Sequence, residues 1–128
     1  MADIPWVLAV GITETMARRL EDAQASQRDF RLLETNDPNE AISILRDLAP
    51  RVVVIGLDMR NASPLAIADY IEFRMPEVRV IYEMGLRHNF ADGSIFSHSH
   101  NAHALVTPAM ASGDLGAMVA HHALSRAA

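Results

Sequence analysis

The stretch Arg51-Val-Val-Val-Ile-Gly-Leu-Asp58 constrains the fold of this chain more than any other. Four apolar, β-favouring residues in succession leave no alternation of polar and apolar positions, so a strand with one wet face is a poor fit. A central strand covered on both faces, as in a parallel sheet, suits it. Asp58 would then stand at the carboxyl end of that strand, the edge where open α/β sheets bind ligands and do chemistry.

A doubly covered strand needs helices on either side, and the flanking sequence supplies them. The apolar segment from Ile4 to Ile12 reads as a first strand, over about residues 5–12. Thr13 can cap a helix that has Glu14 in its first turn, and Met16, Ala17, Leu20 and Ala23 carry helical spacing to about residue 24. Phe30 to Glu34 reads as a short second strand. Asp37-Pro38-Asn39-Glu40 combines an N-cap, a proline at the first helical position and a capping-box glutamate, ahead of the apolar face of Ala41, Ile42, Ile44, Leu45 and Leu48. Pro50 stops that helix and the central strand follows, over about 52–57. Ser63-Pro64 opens a further helix, carried by Ile67, Tyr70 and Ile71 to about Arg74 and closed by Pro76. Val78 to Tyr82 and Ala104 to Thr107 read as the fourth and fifth strands. Ser112 can cap a final helix that turns Leu115, Met118, Val119 and Ala123 inward. Residues 85–103 carry the weakest pattern. Five β units alternating with helices predict one domain over residues 1–128, a parallel sheet with right-handed crossovers and helices on both faces.

Composition narrows the function. At 128 residues the chain can bury roughly two-thirds of its unfolded surface without staples. It has no cysteine, which excludes disulfides and thiolate metal sites and makes a cytoplasmic location the expectation. The formal net charge of −5 disfavours direct binding of nucleic acid. The Ile4–Ile12 segment is too short to span a bilayer, and Asp3 precedes it where a signal peptide carries positive charge. All eleven basic residues are arginine, so every mechanism that needs a lysine amine is closed.

Five βα units in this length, a strand at the N-terminus and Thr107-Pro108 ahead of the last helix resemble the receiver domain of bacterial response regulators, over the whole chain. The resemblance implies a flavodoxin-like (CheY-like) five-stranded sheet of order 2-1-3-4-5. The spacing from Asp58 to the end of the helix at Arg74 matches the segment after a receiver's phospho-acceptor aspartate. Counting from Pro50 instead places Gly56 at the acceptor position. The downstream match favours Asp58, with a longer strand or a bulge reconciling the two registers.

Phosphoryl transfer to a carboxylate needs a bound Mg²⁺ and cationic help to offset the charge it gathers. Receivers supply an acidic pair after the first strand, where this chain has Gly11 and Ile12 and no carboxylate until Glu14. Their hydroxyl at the end of the fourth strand corresponds to Met84, or to Glu83 if the register slips by one. Their lysine before the strand-five proline is Thr107. At least three of the four elements are missing, which resembles an atypical receiver, or pseudo-receiver.

Other features carry less. His98, His100 and His103 could meet a metal, but their spacing matches no helical ligand pair and surface histidines of a polar loop account for them. His121 and His122 suit the carboxyl end of the last helix. Gly85, Gly93, Gly113 and Gly116 form no phosphate-binding fingerprint, and Gly11 alone hints at a close backbone approach. Methionines at helical spacing fill core gaps.

The expectation is a non-enzymatic, phosphorylation-independent module for signalling or scaffolding. It needs no cofactor and binds protein partners, a second copy of itself included. The resemblance places its contact face between Phe90 and Leu124, with Phe96, His100, Pro108, Leu115 and Met118 as contacts. Two alternatives follow from the same residues. One is a true receiver phosphorylated on Asp58 with Mg²⁺; the other is a small flavodoxin-like ligand-binding or catalytic domain with a pocket of Gly11, Asp58, Glu83 and Thr107.

Overall fold

Val52–Gly56 is buried along its whole length because the strand it forms has neighbours on both edges and helices over both faces. The computed structural model describes residues 4–57, 63–84, 102–107, 110 and 112–124. Among them the elements run β1 (Trp6–Val10), α1 (Glu14–Gln27), β2 (Arg31–Thr35), α2 (Pro38–Leu48), β3 (Val52–Gly56), α3 (Pro64–Arg74), β4 (Arg79–Glu83), β5 (Ala102–Val106) and α4 (Ser112–Leu124). The sheet is parallel throughout, in the order β2-β1-β3-β4-β5, the expected doubly wound flavodoxin-like topology.

The lack of alternation in the central strands has a direct cause: successive side chains point to opposite faces and each face has its own core. Leu8, Val10, Val53, Ile55 and Tyr82 pack under α2 and α3 with Leu45 and Ile71. Val7, Ala9, Val52, Val54 and Ile81 pack under α1 and α4 with Met16, Leu20, Leu115 and Val119. Each of the valine, leucine, isoleucine and methionine side chains among these contributes roughly 1.5–3 kcal/mol by leaving water. A polar residue anywhere in β3 therefore costs one core or the other.

Several local readings are corrected. The first helix runs to Gln27, beyond the expected residue 24, and ends on Arg28 in the left-handed region at φ 58°. The fourth strand is Arg79–Glu83, one residue later than expected, and the fifth is Ala102–Val106. Thr13 caps α1 as anticipated, its Oγ1 accepting from the Met16 N–H at 3.2 Å. Asp37 caps α2 by accepting from the Asn39 N–H at 2.9 Å, but Glu40 does not complete a capping box. The Asp37 N–H donates to Thr35 Oγ1 at 3.1 Å instead. Ser63 holds the N-cap position of α3 without a side-chain cap bond, and Ser112 is the first helical residue of α4, not its cap. Among the described residues no helix is long and apolar enough to cross a membrane.

Candidate functional site at the carboxyl edge of the sheet

Four strand ends converge at one edge. Strand β1 ends at Val10 and passes into Gly11, β3 ends at Gly56, β4 at Glu83, and β5 at Val106 followed by Thr107. The ladder sets their order: Gly56 lies opposite Glu83, and Glu83 opposite Val106. Backbone bonds extend this register past the strands, with Leu57 N–H donating to Glu83 O at 3.0 Å and Met84 N–H to Val106 O at 2.8 Å. The residue that ends β4 is therefore Glu83, not Met84, which lies one step beyond.

Gly56 has no room for a side chain. A Cβ placed on it would collide with the carbonyl oxygen of Gly11 and lie 2.7 Å from that carbonyl carbon. Gly11 reaches this position by turning into the left-handed region at φ 62°, which glycine adopts without steric cost. Its N–H donates to Thr35 O at 3.0 Å, which ties the turn to β2. The close approach hinted at by Gly11 is thus a contact between two glycines on adjacent strands.

Glu83 is 1% exposed, so its carboxylate requires partners. Thr13 provides two: its N–H donates to Oε1 at 2.8 Å and its hydroxyl donates to Oε2 at 2.6 Å. The second distance is in the range of a charge-assisted O–H bond. Thr13 Oγ1 meanwhile accepts from Met16 N–H, so one side chain caps α1 and holds Glu83. The amino end of α1 also lies beside the carboxylate, where the helix dipole favours negative charge. Sequence reasoning found both residues and missed their pairing, since Thr13 is fully accounted for as an N-cap.

Among the described residues, those at this edge do not fit a Mg²⁺ site of the kind receivers carry. Gly11 and Ile12 offer no carboxylate, both oxygens of Glu83 are held by Thr13, and Thr107 supplies no cation. Among the described residues no cluster of His, Asp and Glu is placed to hold a metal ion. Asp58, Phe96, His98, His100 and Pro108 lie outside the described residues, as does the side chain of His103. Leu115 is corrected as a surface contact: it is fully buried, because Leu115, Val119 and Ala123 form the face of α4 turned to the sheet. Met118 is partly buried against the same core. The outer side of α4 is instead Asp114, Ala117, His121 and Leu124.

A cleft of about 300 Å³ opens beside the edge, between α1 and β2, lined by Ile12, Glu14, Ala17, Glu34, Thr35 and Asn36. Loss of solvent around the Glu34 carboxyl, then the hydrogen bond and charge of Glu21, push its pKa up from 4.5 to about 7. The folded state thus binds this proton more tightly than the unfolded chain. Its contribution to stability is complete below pH 4.5 and is lost as pH rises through about 7. Glu34 is exposed on β2, so solvent screens much of this effect, and thermal unfolding between these limits is expected to show a shallow downward slope with pH that flattens in Glu34→Gln. Parallel curves for the two proteins would contradict the assignment.

No protein-family model and no curated protein matches the chain. Solved structures do match by shape. The receiver domain of nitrogen regulatory protein C aligns with a TM-score of 0.78 at 20% identity, covering 94% of this chain and 95% of that one. The signal receiver domain of an HD-domain-containing protein from Pseudomonas fluorescens Pf-5 gives 0.79 at 13%, covering 95% and 88%. The chemotaxis response regulator CheY4 of Vibrio cholerae gives 0.75 at 9%, covering 94% and 99%. The chain has the receiver fold, at identities where a fold persists without shared chemistry.

Proposed function

We propose that this chain is a pseudo-receiver: a receiver-fold module for protein interaction in signalling or scaffolding that works without phosphoryl transfer and without Mg²⁺. The observation that carries this reading is the packed edge itself. Gly56 ends β3 opposite Glu83, the place that the count from Pro50 gives to a phospho-acceptor, and the Gly11 carbonyl occupies the space an acceptor side chain would need. Beside it, a carboxylate belonging to the chain fills the position of the family's hydroxyl and is bonded to the start of α1. A phosphoryl group arriving here would meet a fixed negative charge with no lysine to balance it. On this reading Asp58, two positions after Gly56 in the sequence, is not an acceptor.

The partner is a protein, a second copy of this chain being one such partner, and the outer side of α4 is the surface offered. Its Ala117, between Asp114 and His121, permits close approach of another helix. The reading is tested by incubating the protein with Mg²⁺ and a small phosphodonor and measuring intact mass. No phosphoryl adduct is expected. A stable adduct that disappears in Asp58→Ala would overturn the proposal in favour of a true receiver.

A further inference from the structure

The opposite pole of the sheet carries a second cleft, independent of the reading above. It has a volume of about 330 Å³, with Ala49, Pro50 and Val78 as its apolar wall and Arg51, Glu77, Arg79 and His122 around it. The fold brings these together for simple reasons. Arg51 immediately precedes β3 and Arg79 begins β4 opposite Val52, and the Arg79 N–H donates to Arg51 O at 3.0 Å, so a backbone bond joins the two arginines at the start of the strands. Ala49 is the left-handed C-cap of α2, and His122 lies in the last turn of α4.

The two arginines are not equivalent. Arg79 Nη1 donates to the His122 carbonyl oxygen at 2.7 Å, so part of its charge offsets the negative end of α4. Arg51 is exposed, and among the described residues its guanidinium forms no ion pair, although Glu77 borders the same cleft. An arginine and a glutamate that share a cleft without pairing leave room between them for a third group. The local balance of Arg51, Arg79, Glu77 and the end of α4 is positive by less than one full charge. That matches a single carboxylate, which a guanidinium holds in bidentate fashion, and disfavours a dianion such as a phosphate ester. Ala49 is exposed and, with Pro50 and Val78 behind it, gives the remainder of such a molecule an apolar wall. A volume near 300 Å³ is at the small end for ligand pockets.

The geometry points to a binding site at this pole for a small organic monocarboxylate with an apolar body, its acid group on Arg51 and its body against Ala49, Pro50 and Val78. The test is a titration of the intact chain with benzoate and with butyrate, followed by amide chemical shifts, beside phosphate and chloride at equal ionic strength. Saturable shifts centred on Arg51, Val78 and Arg79 are expected with the carboxylates and not with chloride. Arg51→Gln should weaken binding tenfold or more, roughly the loss of one charged hydrogen-bonding partner. Arg51→Lys should lose less, and Arg18→Gln at the far pole should change nothing. Arg51 is exposed and its backbone bonds do not depend on its side chain, so Arg51→Gln should keep the dispersed spectrum of the folded protein. Absence of saturation overturns the proposal, as does equal binding by Arg51→Gln. Shifts that chloride reproduces would reduce it to ionic strength, and tighter binding of phosphate would overturn the monoanion assignment.

Discussion

Gly56→Ala should lower the melting temperature by on the order of 10 °C. The added methyl meets backbone, the Gly11 carbonyl, and not the end of a side chain that could swing away. Relief requires β3 to withdraw from β1 or the Gly11–Thr13 turn to lift, and the same turn holds Glu83. Overpacking typically costs 1–3 kcal/mol, and a collision with backbone belongs at or above the upper end. In a domain of this size about 3 kcal/mol corresponds to roughly 10 °C. Gly113→Ala is the control: nothing lies within 4 Å of its Cβ position in α4, so the expected change is neutral to stabilising, up to about 1 kcal/mol. Thermal unfolding followed by circular dichroism distinguishes the two. If both alanine variants melt like the parent, Gly56 is not held against Gly11. Gly56→Asp supplies a carboxylate at the strand end but should behave like Gly56→Ala, destabilised and still unlabelled by a phosphodonor, since the space is the obstacle.

How far the sequence could be read follows from what kind of interaction each feature depends on. The sheet was legible because β1 and β3 are apolar at every position, a pattern that two-sided burial explains, and because Pro38 and Pro64 stand at the first positions of two helices. The identities Gly11, Ile12 and Thr107 are read directly from the sequence, at positions where the resemblance leads one to expect acids and a lysine. The register at the edge was harder. The spacing to Arg74 and the count from Pro50 gave answers two residues apart, and a ladder pairing such as that of Gly56 with Glu83 is not written in either count. Local caps failed where two donors or acceptors competed. Thr35 Oγ1 takes the Asp37 N–H that Glu40 was expected to accept. The union of Thr13 with Glu83 spans seventy positions of sequence. Its one trace is a glutamate ending an otherwise buried strand, a residue that must find a partner without indicating which.

That union carries the second large effect. Glu83→Gln should destabilise the protein by about 2 kcal/mol, because an amide replaces one acceptor oxygen with a donor that faces either the Thr13 N–H or its hydroxyl. Thr13→Val should cost a similar amount: about 1 kcal/mol for the lost cap of α1 and the rest for a buried carboxylate oxygen left without its hydroxyl. The informative quantity is their coupling. If Thr13 and Glu83 act as one unit, the double variant should be less destabilised than the sum of the singles by about 1–2 kcal/mol, read from urea unfolding of all four proteins. Additivity within about 0.5 kcal/mol would mean that the two residues stabilise the fold separately. A large coupling has a functional corollary. The carboxylate would then tie the end of β4 to the start of α1 permanently, with a strength that no transient phosphoryl group is needed to supply. An edge locked in that way has one conformation to offer a partner, which is what a module that works without phosphorylation requires.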